Sequence, residues 1–314
     1  MKKITLLLLP FLLSWQSENT SHLSGNLTFP ENSTLQSFYL SGSDTTFTLT
    51  ANDKNHYSLH FTNREVPFYM LNGKLIQEEN QKWQFATPIY IKHNDKTTIN
   101  LHMKDFKVSV ETNDKNNQAI QECKTFFNES TQKVWMRVPS PENLKSAAQS
   151  QVDFSKEVVE KYHPEQNVAE FLISWGYLQY LTIVNAAKQT YKYSGKQLPE
   201  DILDGFPKIP EFLDKPFWSF FGGSSFRISD YIKRNAKTAE EQLEFLKANF
   251  HTPSIILDQT NQIVSCFIFD CRYSEENYKR LEKLTKGLPN RESTLENYKK
   301  TRFARTETGT GTGR

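Results

Sequence analysis

The stretch Val108-Ser109-Val110-Glu111-Thr112-Asn113-Asp114-Lys115-Asn116-Asn117-Gln118-Ala119-Ile120 decides the fold. Val108 and Val110 still alternate with polar neighbours, the period of a half-buried strand. Past the polar turn at Asn113-Asp114, Ile120, Cys123 and Phe127 recur on one helical face. Such a change of hydrophobic period is a change of secondary-structure class. It predicts an α+β chain, with an N-terminal antiparallel β-sandwich or open barrel over residues 24–112 and an α-helical domain over residues 115–288.

Upstream of the switch, Phe47, Leu49 and Ala51 alternate with threonines and meet a turn at Asn52-Asp53-Lys54-Asn55. Tyr57, Leu59 and Phe61 alternate on the return, which predicts a hairpin. Asn72-Gly73, between Val66–Leu71 and Lys74–Gln77, is the strongest short hairpin signal in the chain. Trp83 and Phe85, Ile89–Ile91 and Ile99-Leu101-Met103 continue the pattern. Pro67 inside a strand places that strand at a sheet edge.

Downstream, helices are predicted over Leu144–Tyr162, stopped at Pro164, and over Val168–Tyr191. The second is apolar nearly all round, but Glu170, Gln179 and Asn185 interrupt it, which marks a buried helix rather than a membrane span. A connection with Pro199, Pro207, Pro210 and Pro216 follows. Thr238-Ala239-Glu240-Glu241 reads as a capping box, and Thr252-Pro253 as a cap with a first-turn proline. Ile255–Phe269 suits either a helix or a hairpin about Thr260-Asn261, with helix favoured. Ser274 caps a helix carrying Tyr278, Leu281 and Leu284, ended by Gly287 and Pro289. Residues 289–314, closing on a Thr-Gly repeat, read as linker and disordered tail.

The N-terminus is laid out as a secretory signal peptide over residues 1–17: Lys2-Lys3, an apolar run from Ile4 to Trp15, then a small polar exit. The expected location is therefore outside the cytoplasm, periplasmic or cell-envelope, without a lipid anchor because the first cysteine is Cys123. Losing Lys2 and Lys3 takes the formal net charge from +2 to neutral. A neutral chain has no global electrostatic attraction to nucleic acid. Three cysteines exclude a disulfide-stapled scaffold, and the spacing of Cys266 and Cys271 disfavours a bond between them on either a helix or a strand. All three read as small buried hydrophobes.

Chemistry-bearing constellations are sparse. His56 and His60 share a strand face without an acidic or cysteine partner nearby in sequence. The aromatic, glycine-containing stretch Phe217–Ser225 reads as packing between helices, with contact to a sugar ring or peptide as its alternative. Sequons stand at Asn19, Asn26, Asn32 and Asn128. Glu240-Glu241 and Glu275-Glu276 fall at helix starts, where the dipole accounts for them. Nucleophile-elbow, phosphate-loop, His-Glu-x-x-His and dinucleotide-fingerprint patterns are missing. No catalytic, cofactor-binding or metal-ligating residue is therefore named.

The order of parts resembles the N-terminal region of Bacteroidetes exported thioredoxin-like proteins, the group of TlpA/ResA-type disulfide reductases. The residues concerned are Ile89–Ile99 with Asn94 in its turn, Val108–Asn117, Tyr273–Tyr278, and the linker-like Arg305–Gly309. The family's Trp-Cys-x-x-Cys does not occur. The resemblance implies a non-catalytic accessory region for partner docking, dimerisation or substrate positioning, linked to extracytoplasmic thiol-disulfide redox. A protein partner or a second copy of the chain is then expected. The alternatives are an exported glycan- or peptide-binding protein, and an enzyme using Cys266 or Cys271 as nucleophile.

Overall fold

The structure, a computed structural model, describes residues 20–42, 45–62, 66–77, 81–104, 107–204, 206–207, 210–219, 221 and 224–304. The expected signal peptide lies outside the described residues, as does 305–314. The chain divides into two compact units, 1–114 and 115–314, so the boundary falls at the change of period.

The first unit holds β1 (Thr20–Thr28), β2 (Thr34–Ser41), β3 (Thr46–Thr48), β4 (His56–Thr62), β5 (Phe68–Ile76), β6 (Lys82–Tyr90), β7 (Lys96–Thr98), β8 (Asn100–Lys104) and β9 (Lys107–Glu111). One sheet runs β4-β1-β8-β9 with β7 also beside β1, and the other runs β3-β2-β5-β6. Their inner faces share one core, with Leu23, Leu27, Tyr57 and Leu101 from the first sheet and Phe38, Leu40, Leu71 and Phe85 from the second. Alternation along each strand supplies this core and leaves the polar residues outside. The first sheet is mixed rather than purely antiparallel, because β1 pairs with β7 and β8 in parallel.

Three strand expectations are corrected. Asn72-Gly73 is no turn: β5 passes straight through it, with Asn72 opposite Ala86 and Gly73 opposite Phe85. Glycine stands there because a Cβ would lie 2.3 Å from the Phe85 ring. Pro67 precedes β5, which is an interior strand between β2 and β6. The proline within a strand is Pro88, in the edge strand β6. The turn at Asn52–Asn55 forms, with Asn52 Oδ1 accepting from the Lys54 and His56 amides. Its two arms part, however, β3 joining β2 and β4 joining β1 in the opposite sheet.

The second unit holds α1 (Lys115–Met136), α2 (Pro141–Tyr162), α3 (Gln166–Ser194), α4 (Ser224–Asn235), α5 (Ala239–Asn249), α6 (Pro253–Asp270), α7 (Glu275–Leu284) and α8 (Arg291–Ala304). Ile255–Phe269 is thus helical. Helix α8 occupies most of the stretch expected to be linker, and its Leu295 and Tyr298 are buried. Tyr298 donates to the carbonyls of Cys271 and Arg272, tying α8 to the end of α6. Both predicted caps of α5 and α7 form, the Thr238–Glu241 capping box among them. The cap of α6 differs: Thr252 makes no side-chain cap, and Asp214 instead accepts from the amides of His251 and Thr252 (2.7 and 2.8 Å).

Helix α3 is the central post, with Phe171, Leu172, Val184 and Ala187 fully buried. It meets α2 at close range through small residues, since a Cβ on Gly176 would lie 2.4 Å from Ser155 Oγ. On another side Phe171 and Trp175 pack against Phe217, Trp218 and Phe221. Among the described residues no helix is long and apolar enough to cross a membrane.

Candidate functional site

Three helices of the second unit carry polar stripes at helical spacing that converge on one cleft. Helix α1 contributes Asn128, Thr131, Gln132 and Trp135, α3 contributes Gln179, Thr182, Asn185 and Gln189, and α4 contributes Arg227, Asp230 and Arg234. Residues at i, i+3, i+4 and i+7 share a helix face, so each stripe presents a continuous edge. The α3 stripe includes two of the polar interruptions that mark this helix as no membrane span.

The cleft has two halves. A cavity of about 450 Å³ is lined by Lys188, Arg227, Lys233, Arg234 and Lys237, with Asp230 its one acidic residue. A neighbouring cavity of about 540 Å³ is lined by Asn128, Thr131, Gln132, Gln179 and Ser224, with Leu178 and Phe221. Trp135, Thr182 and Arg227 belong to both. Trp135 is 63% exposed, unlike the other described tryptophans. Its ring is thus a large aromatic surface open to solvent on the wall shared by the two cavities.

The floor of the cationic half is organised by Asn185. Its amide N–H donates to Asp230 Oδ2 (3.0 Å), and its Oδ1 accepts from Arg234 Nη2. Burial lowers the pKa of the Arg234 guanidinium and Asp230 works against that, and a guanidinium keeps its charge at neutral pH in any case, so Arg234 is a charged donor. Around it, Lys188, Arg227, Lys233 and Lys237 enter no ion pair among the described residues, whereas Lys145, Lys161, Lys215 and Arg280 each hold a carboxylate. Lys233 Nζ lies 3.6 Å from Cys266 Sγ on α6. Like charges gathered round one cavity repel each other, and an anion relieves that repulsion.

The residues weighed from sequence lie elsewhere. His56 and His60 sit on the outer face of β4. His60 stacks on His22 (centroids 4.1 Å apart), and His56 Nδ1 is 3.2 Å from Asn26 Oδ1. Burial lowers the pKa of His22, helped by the nearby His60, Lys96 and His56. Among the described residues no group of three His, Cys, Asp or Glu is arranged to hold a metal ion. All three cysteines are free. Cys123 is buried, and burial pushes its thiol pKa up. Cys266 and Cys271 are only partly buried, a correction to the expectation that all three fill cores.

Phe217 and Trp218 pack between helices, and Phe221 and Ser224 of that stretch line the cleft. Glu240 does more than cap: it forms a two-point ion pair with Arg280 of α7 (2.7 and 3.0 Å). Trp135 was the residue to find. Little in α1 singles it out, because the helix is polar over much of its length, from Lys115-Asn116-Asn117-Gln118 to Glu129-Ser130.

No family model, curated protein or solved structure matches the chain.

Proposed function

We propose that this chain is a non-catalytic binding protein whose helical unit captures an anionic ligand in the cleft between α1, α3 and α4. One observation carries the reading: four cations without carboxylate partners converge on a single cavity above a fixed Arg234. The rest of the chain is nearly balanced in charge, so the concentration is local. The accessory role implied by the thioredoxin-like resemblance is a form of the same work, in which the cleft docks a partner or positions a substrate. The signal-peptide layout of residues 1–17 supports an extracytoplasmic setting.

The test is titration calorimetry with pyrophosphate and pentaglutamate at low and at physiological ionic strength. Binding weakens with salt, and the double variant Lys188→Gln, Lys237→Gln loses about tenfold or more in affinity, equal to about 1.4 kcal/mol. Equal binding by the double variant removes the cleft from the proposal. Thiol-reductase turnover by the isolated protein would end the non-catalytic reading.

A further inference from the structure

The neutral half of the cleft narrows the ligand. Asn128, Gln132 and Gln179 supply three carboxamides there and Thr131 a hydroxyl, while Ser224 Oγ is spent on the carbonyls of Trp218 and Phe221. Each carboxamide offers both donors and an acceptor. Gln179 Oε1 already accepts from Thr131 Oγ1 (3.3 Å), which leaves its NH₂ directed to other partners. A wall of this kind suits a ligand dense in hydroxyls, because each hydroxyl also donates and accepts. Trp135, exposed at the junction, offers the flat apolar surface on which the C–H face of a pyranose ring rests. An acidic peptide would ask for cations along its whole length, yet Arg227 is the one cation lining the second half, and the rest line the first.

We propose that the ligand is an acidic saccharide lying across both halves. Its carboxylate or sulfate sits among Lys188, Lys233, Arg234 and Lys237, and a neutral ring lies against Trp135 and the carboxamides. This assignment rests on the anion-capture reading and adds the ligand class to it.

The experiment is calorimetry on the full chain with five probes: tetragalacturonate, a heparin tetrasaccharide, neutral cellotetraose, pentaglutamate and pyrophosphate. At least one acidic tetrasaccharide should bind about tenfold or more tightly than the other three. The arm that wins identifies the anion as carboxylate or sulfate. Trp135→Ala and Gln132→Ala should each weaken the saccharide by about tenfold while leaving pentaglutamate unchanged, with unaltered melting temperature showing that the variants fold.

Pentaglutamate or pyrophosphate binding as tightly as both acidic saccharides overturns the saccharide and leaves anion capture standing. So does saccharide binding indifferent to both variants. Cellotetraose matching the acidic probes overturns the role of the charge. Silence from all five probes overturns both proposals together.

Discussion

Polar residues are used in opposite ways by the two units. On the outer face of the β unit they find one another across strands: His22 stacks on His60, Ser24 stands opposite Ser58, and Asn26 meets His56 and Asn100. Cross-strand neighbours lie about 5 Å apart, within reach of short side chains. In the helical unit the polar stripes of α1, α3 and α4 line a cleft, and several of their members have no hydrogen-bond or ion-pair partner among the described residues. Sheets satisfy their own polar rows, whereas crossing helices diverge and leave wedges between them. The unit with unspent polar groups is the one to which the proposal assigns ligand binding.

The comparison can be broken most strongly at the cores. Phe171→Ala removes a fully buried ring that touches Trp175, Phe217, Trp218 and Phe221, and should cost the helical unit about 4 kcal/mol. Gly73→Val drives a side chain into Phe85 and should cost the β unit about 3 kcal/mol. Calorimetry of the two variants should shift different parts of the unfolding profile. Identical profiles would mean that the units do not unfold separately.

Asp214→Asn sharpens the comparison by pH. Burial raises the carboxyl's pKa, but amide hydrogen bonds from Thr252 and His251 outweigh it, so the net shift is downward. A depressed carboxylate stabilises above its unfolded pKa, and that contribution is lost as pH falls through the folded value. The variant should lose about 1 kcal/mol near neutral pH, after discounting for solvent screening, and converge with the parent below about pH 4. A gap that persists at low pH refutes the charge argument.

A second pH test belongs to Lys124 on α1, whose pKa burial lowers to about 8. The folded protein disfavours its charge, so stability rises as pH climbs from about 8 towards the unfolded value near 10.4. Lys124→Met should therefore be the more stable protein below pH 8, with the advantage fading above about pH 10. Chemical denaturation across that range decides the matter.

Much of the fold could be read in the sequence, because periods and caps are local. The switch after Asn113-Asp114, the Thr238–Glu241 box and the Ser274 cap depend on residues within one or two turns. The destinations of β3 and β4 depend on partners far along the chain, so their turn was legible and their sheets were not. Gly73 misled because glycine serves two ends, and here it makes room for Phe85 rather than bending the chain. Helix α8 was hidden behind a tail of low complexity. The site was half visible: Gln179 and Asn185 stood out in α3, but only as arguments against a membrane span. That the stripes of α1 and α4 meet them depends on how three helices cross, which no single helix encodes.

Asn72-Gly73 also bears on how the protein reaches its native state. In the unfolded chain this dipeptide favours a tight local hairpin that closes in microseconds. The native β5 must instead stay extended there, and β1 must find β8 more than seventy residues away. A hairpin formed early at this dipeptide would be a non-native contact that the β unit has to undo, detectable as a slow refolding phase that Gly73→Ala removes.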